Sequence, residues 1–218
     1  MSERSVERPH RGAKRGIRRG EKRSAILDAA ESVFGAQGFA KTTMTDVALA
    51  ADASRPLLYR YFRDKEGLFE AVVDRVFTEW HEVLLAEAAR NTPGTAHTVR
   101  LVLKASLDFA RNREVLRGLL GQDARLALAD YSDVLDRGSR MLRDLVRDIL
   151  GRGIRRGDVR GDLDVDDLAH VVSEVFLAYA DHIVTGEGEG IGERRFEAII
   201  ETLLHGFIAG PSFAETNA

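Results

Sequence analysis

Between Thr43 and Arg63 two short apolar patterns stand back to back, separated only by Asp52-Ala53-Ser54. The first places Val47, Ala48 and Ala51 on one side of a helix, and Thr43 with Asp46 three positions on reads as its N-cap. The second places Leu58 and Phe62 four apart, with Ser54 as a cap and Pro56 in the first turn, where a missing N–H is harmless. A gap this short admits a tight turn and little else. Such a turn needs left-handed backbone angles, which Asp tolerates better than most residues, so Asp52 is the predicted pivot. The pair is therefore a helix-turn-helix. Its second helix is odd for a core element, because Arg55, Tyr59, Arg60, Tyr61 and Arg63 crowd into nine residues.

Helical periodicity continues on both sides of this unit, and no strand pattern interrupts it, so the fold class is all-α. Ile26, Leu27, Ala30, Val33 and Phe34 give one apolar face that closes at Gly35 and Gly38, with Phe39 folding back. Asp64 caps a helix striped by Leu68, Val72, Val73, Val76 and Phe77. Further helices are predicted around Leu101–Ala110, Val115–Leu120, Leu126–Leu150, Leu168–Ile183 and Phe196–Ile208. Gly151, Gly153, Gly157 and Gly161 read as one loop, and the glycines at 186–192 as another. The organisation expected is a disordered basic arm at 1–20, a three-helix head at 21–66, a helical body at 67–210 and a tail at 211–218.

Charge divides the chain in the same place. Residues 1–65 hold 14 Lys/Arg and 8 Asp/Glu, a net +6, whereas the remainder holds 18 and 27, a net −9. A basic head on an acidic body suits a polyanion-binding unit carried by a domain that does not bind it. Residues 1–23, with 9 Lys/Arg and 3 Asp/Glu, fit either a solvated tail or an arm lying on nucleic acid. The absence of Cys excludes disulfides and makes the cytoplasm the expected compartment. No apolar run approaches the ~20 residues that span a bilayer, so no membrane partner is expected. His81, His97, His170, His182 and His205 do not pair at helical spacing, so no metal is expected. No phosphate-cradling loop or nucleophile motif is present, which gives no cofactor, no catalytic residue and no enzyme.

The second helix of a helix-turn-helix enters the major groove of double-stranded DNA. Arg55 and Arg60 can fork onto guanine edges or phosphates, and Tyr59 and Tyr61 can bond phosphate oxygens. Phe34, Gly38, Thr43, Val47-Ala48, Ala51, Ser54, Leu58-Tyr59, Tyr61-Phe62 and Lys65-Glu66-Gly67-Leu68 resemble the N-terminal signature of the tetracycline-repressor (TetR) family. The resemblance covers roughly residues 24–72, and departs from the family at Asp52, where Gly is usual, and at Pro56, where Gly or a small residue is common. It implies a ligand-responsive, sequence-specific repressor that acts as a homodimer on a pseudo-palindromic operator. It assigns DNA contact to Thr45, Arg55, Pro56, Leu57, Tyr59, Tyr61 and Lys65; chemistry adds Arg60, and the cap positions Thr43 and Ser54 complete the set.

For the body the candidates are less specific. Phe77, Trp80, His81, Phe109, Tyr131, Phe176 and Tyr179 either line a cavity for an apolar small-molecule effector or simply pack the core. Val172, Val175, Ile199, Ile200, Leu203, Leu204 and Phe207 leave two helices with apolar surface to spare, which suits a dimer interface. A second functional reading remains, in which the chain is a helical small-molecule-binding module with weak, charge-driven DNA binding.

Overall fold

The computed structural model describes residues 11–90, 92–116, 131–184 and 191–208. Eight helices cover most of them: α1 (Arg11–Gln37), α2 (Met44–Ala50), α3 (Arg55–Tyr59), α4 (Lys65–Ala88), α5 (Thr95–Arg111), α6 (Tyr131–Arg156), α7 (Val165–Val184) and α8 (Ile191–Phe207). Extended structure among the described residues is limited to a single antiparallel bridge between Val159 and Ile208.

The head is α1 to α3 packed on the first turns of α4. Its core joins Ile26, Leu27, Ala30 and Phe34 of α1 to Val47 and Ala48 of α2, Leu58 of α3, and Leu68, Phe69 and Val72 of α4. Phe34 and Phe39 both meet Phe69 edge-on, at 4.9 and 5.0 Å between ring centroids. Burying each aromatic ring contributes about 1.5–3 kcal/mol, so this trio dominates the small head. Gly38, at φ 78°, turns the chain after α1 so that Phe39 returns to the core.

The body stacks α4 on α5 and α6, and α6 on α7, with α8 against α7. Trp80 of α4 and Ser106 of α5 are both buried, and the indole N–H donates to the Ser106 hydroxyl at 3.0 Å. The start of α5 is held from far along the chain. The Asp158 carboxylate accepts from the Thr95 backbone N–H at 2.8 Å and from the Thr95 hydroxyl at 2.9 Å, and so caps a positive helix end.

Several boundaries differ from those the sequence suggests. α1 begins at Arg11, so residues 11–20 belong to a helix and not to a disordered arm. Ala13, Lys14, Arg15, Ile17, Arg18 and Arg19 tolerate helix well, and extending an existing helix needs no new nucleus. Gly35 lies inside α1, two residues before its end. α6 runs through Gly151 and Gly153 and stops only at Gly157, whose φ of 83° lets Asp158 N–H reach the Gly153 carbonyl at 3.1 Å. Gly153 is in the helix because of what packs on it: a Cβ there would collide with Thr95 Oγ1 and lie 2.6 Å from Val159 Cγ2. Gly192 likewise lies within α8. The predicted helix at Val115–Leu120 is described only to Leu116, while Leu126–Asp130, the glycines at 186, 188 and 190, and the segments 1–10 and 211–218 lie outside the described residues.

Candidate nucleic-acid interface

Each end of the helix-turn-helix is fixed by local chemistry. Thr43 and Asp46 cap α2 reciprocally: Asp46 N–H donates to Thr43 Oγ1 at 3.3 Å, and the Asp46 carboxylate accepts from Thr43 N–H at 2.9 Å. Hydrogen bonds from the Thr43 side chain and backbone hold the Asp46 carboxyl below the usual carboxylate range. At the other end of α2, Asp52 takes φ 46°, the one positive φ among the described non-glycine residues. Asp52 N–H then reaches the Leu49 carbonyl at 3.3 Å and Ala53 N–H the Ala48 carbonyl at 2.9 Å, the paired hydrogen bonds of a Schellman turn. Asp52 thus reverses the chain, and Ala53 packs against the core behind it.

α3 is only five residues long, and its burial is one-sided. Leu58 is fully buried and Phe62 nearly so, while Arg55, Pro56, Tyr59 and Arg60 are exposed and Leu57 is half-buried. Tyr59 keeps 47% of its surface open to solvent, unusual for an aromatic residue one position from a core leucine. Ser54 occupies the N-cap in extended conformation, but its side chain makes no capping bond. Thr43, Thr45 and Ser54 are exposed.

Tyr61 and Lys65 differ from the other candidates. The Tyr61 ring is half-buried, 6.4 Å from that of Phe62, and Arg19 lies over it at 5.9 Å. Lys65 Nζ donates to the Phe39 carbonyl at 3.0 Å and sits 4.3 Å above the Phe39 ring. An ammonium has three donors, so two remain for an anion. Asp64 caps α4 through Gly67 N–H at 2.8 Å. That bond first, and Arg63 second, hold the Asp64 carboxyl below its usual range.

Some residues carry no signal in the sequence. Lys41 is exposed in the turn before α2, and Leu49 of α2 is 83% exposed. Behind the head, Asp28 and Glu31 of α1 meet Arg75 and Glu79 of α4 and Arg113 after α5 around a cleft of about 600 Å³. No periodicity marks a cluster in which directly bonded partners lie up to 82 positions apart.

In the body, Phe77 and Trp80 are buried neighbours at 6.0 Å, and Phe176 and Tyr179 both pack on Phe196. Phe109 carries the Arg113 guanidinium at 5.0 Å, and His81 has a buried Nδ1 without a hydrogen-bond partner. Phe77, Trp80, His81, Phe109, Phe176 and Tyr179 do not line the cleft behind the head. Tyr131 begins α6. The interface candidates divide. Val172, Ile200 and Leu204 are buried within the single chain and have no surface left for a partner, which corrects their assignment. Val175, Ile199 and Leu203 are half-buried, and Val171, which periodicity does not single out, is 47% exposed. Phe207 closes α8.

Comparison with known proteins places this geometry. Residues 26–72, from the core half of α1 to the second turn of α4, match the family model described as bacterial regulatory proteins, tetR family. The chain is 28% identical over 184 residues to the HTH-type transcriptional repressor BepR of Brucella suis, covering 83% of this chain and 86% of BepR. The crystal structure of a TetR-family transcriptional regulator from Pectobacterium atrosepticum is 30% identical, with a TM-score of 0.70 over 88% of this chain and 96% of that one. SmeT of Stenotrophomonas maltophilia in complex with triclosan shares the fold at 22% identity, with a TM-score of 0.71 over 88% of this chain and 93% of that one. The chain belongs to the tetR family and is a helix-turn-helix DNA-binding transcriptional regulator.

Proposed function

We propose that this protein is a repressor rather than an enzyme, acting in the cytoplasm as a homodimer on a pseudo-palindromic operator and released by a small apolar effector. The observation that carries the reading is the one-sided burial of α3. Leu58 anchors the helix inward, and Arg55, Tyr59 and Arg60 remain exposed on a head whose end geometry is fixed by the Thr43–Asp46 and Asp52 turns. Arg55 at the first turn of α3 is the candidate reader of a base edge, with Tyr59, Arg60 and Lys65 on phosphates. Two such heads would sit one helical turn apart, about 34–36 Å, or a multiple of it.

The repressor direction is supported by the name of BepR, and the effector by the triclosan complex of SmeT. An effector acts only through a difference in affinity between two states of the body, so it must favour one in which the heads no longer fit that spacing. Phe77, Trp80, His81, Phe109 and the Phe176–Tyr179 group are the proposed lining, and unpartnered His81 Nδ1 offers such a ligand one polar contact.

The test is direct. Fluorescence anisotropy compares an inverted repeat taken from DNA beside the coding region with its scrambled counterpart at several salt concentrations. Tighter binding to the repeat, by the ~10³-fold or more that separates specific from non-specific complexes, is the expected result. Equal binding to both, with a steep salt dependence, favours the helical module that holds DNA by charge alone.

A further inference from the structure

We propose that the basic half of α1 between Arg11 and Arg23 is a second DNA-contacting surface, lying along the backbone phosphates that flank each operator half-site. The inference rests on the reading of α3 as the recognition element. It adds a surface that neither the family model, which begins at residue 26, nor α3 supplies.

Three observations converge on it. α1 is continuous from Arg11 to Gln37, so residues 11–23 form one unbroken extension of a helix that is part of the head core. At about 100° per residue, Arg11, Lys14, Arg15, Arg18, Arg19, Lys22 and Arg23 all fall within one half of the helix circumference, and Glu21 falls outside it. A merely soluble helix would scatter its charges or mix their signs. The acidic residues Asp28 and Glu31, one to three turns on, are turned to the body, where Arg75 and Arg113 hold them.

The third observation fixes where the extension lies. Arg23 stacks over Phe62 at 5.4 Å and Arg19 over Tyr61 at 5.9 Å. Those rings belong to the two residues that follow the last turn of α3 and its cap. The basic extension is therefore tied to the exit of the recognition helix, and a duplex seated on α3 brings its backbone to that side of the head. From residue 11 to residue 23 the helix is about 18 Å long, equal to the rise of about five base pairs. Charge complementarity and continuity with the α3 surface both select duplex DNA as the occupant.

The experiment uses the full chain and a variant in which Arg11, Lys14, Arg15 and Arg18 are all changed to Gln, which keeps helix propensity and leaves the Arg19 and Arg23 stacks in place. Operator and random duplex are titrated from 50 to 200 mM salt, and the operator complex is footprinted with hydroxyl radicals. Removing one phosphate interaction lowers the slope of log K against log salt by about 0.9 units, so a fall of about two units or more is expected. Protection should retreat from the flanks, and the preference for operator over random DNA should persist. A chain truncated before residue 19 provides a second variant should the quadruple substitution fail to fold. An unchanged slope and footprint overturns the proposal, whatever else covers that face. So does a slope change accompanied by loss of sequence preference, since the arm would then act through α3. A wild-type chain that does not prefer operator sinks the reading of α3 instead, and the slopes on random duplex still decide the arm.

Discussion

Arg75 Nη2 lies 2.7 Å from Glu31 Oε2, joining the fourth helix to the first across the back of the head. Glu31 also accepts from Arg113 Nη1 at 2.7 Å, Arg113 bonds Glu79 in turn, and Arg75 bonds Asp28 at 2.5 Å. Burial lowers the Arg113 pKa, but Glu31 and Glu79 more than offset this, so the net shift is upward. One carboxylate thus holds two guanidiniums, one from α4 and one from the segment after α5, and ties α1 to both.

Replacing Glu31 with Gln removes the charge that both arginines share. The pair is mostly screened from solvent without being fully buried, so the cost is about 1–2 kcal/mol, between that of surface and interior pairs. Denaturant titration should show this loss with helix content unchanged. Operator affinity should fall further than stability accounts for, because the head is no longer held at one angle. Equal effects on both would mean the cluster is only structural.

Asp52 bears a steric cost for its left-handed angle that glycine would not. Asp52→Gly should therefore stabilise the chain by about 0.5–1 kcal/mol, and Asp52→Val should destabilise it by about 1–2 kcal/mol. Thermal melts of the three proteins give the order directly; a valine variant as stable as the parent would remove Asp52 from its role as pivot.

Arg55 and Lys65 should separate base reading from phosphate holding. Arg55→Ala is expected to cost about 1–3 kcal/mol on the preferred operator and far less on random DNA. Lys65→Ala should weaken both more evenly. Parallel losses from the two variants on both DNAs would refute this division.

Acid should weaken the caps of α2 and α4. Asp46 and Asp64 both bind protons less readily in the folded chain than in the unfolded one. Their contribution is present above the unfolded carboxylate value near 3.9 and is lost as pH falls through the lower folded values. Stability measured between pH 5 and pH 2 should decline, and Asp64→Asn should flatten that decline. An identical pH profile in the variant would show that Asp64 is not a source of the acid response.

The dimer should depend on apolar residues that the single chain leaves exposed or only half-buried. Val171→Arg together with Leu203→Arg places two charges on the outer faces of α7 and α8. Sedimentation should then report a monomer with native helix content and weak operator binding. A double variant that remains dimeric moves the interface elsewhere.

The head is legible in the sequence because its signals are local. Thr43 and Asp46 are three apart, Leu58 and Phe62 four, and the Asp52 turn closes through bonds to Leu49 and Ala48. The body hides what the head reveals. Gly153 reads as a breaker until Thr95, 58 positions earlier, is seen against it, and Asp158 caps a helix 63 positions away. Val172, Ile200 and Leu204 carry the same apolar pattern whether they face the chain's own core or a partner, and periodicity does not separate the two. The start of α1 is hidden for a related reason. Charge composition marks residues 11–20 as unable to build a core, yet a helix already anchored by Ile26 and Leu27 needs no core to continue.

The unbroken length of α4 has a geometric consequence. Lys65 opens the helix beside the loop that follows α3, and Trp80, fixed to Ser106, sits two-thirds of the way along it. Fifteen residues at ~1.5 Å each separate them by ~22 Å, so a tilt of about 9° about Trp80 carries Lys65 through ~3.4 Å, the rise of one base pair. In a symmetric pair tilting in opposite senses, about half that angle in each subunit changes the separation of the heads by one base step. Under the proposed effector mechanism, an angular displacement in the body would thereby be converted to a unit that DNA itself counts in. Inserting or deleting one base pair between operator half-sites changes the same distance by one step and also turns one half-site by about 34–36° about the duplex axis, so it should weaken binding at least as much as such a tilt would.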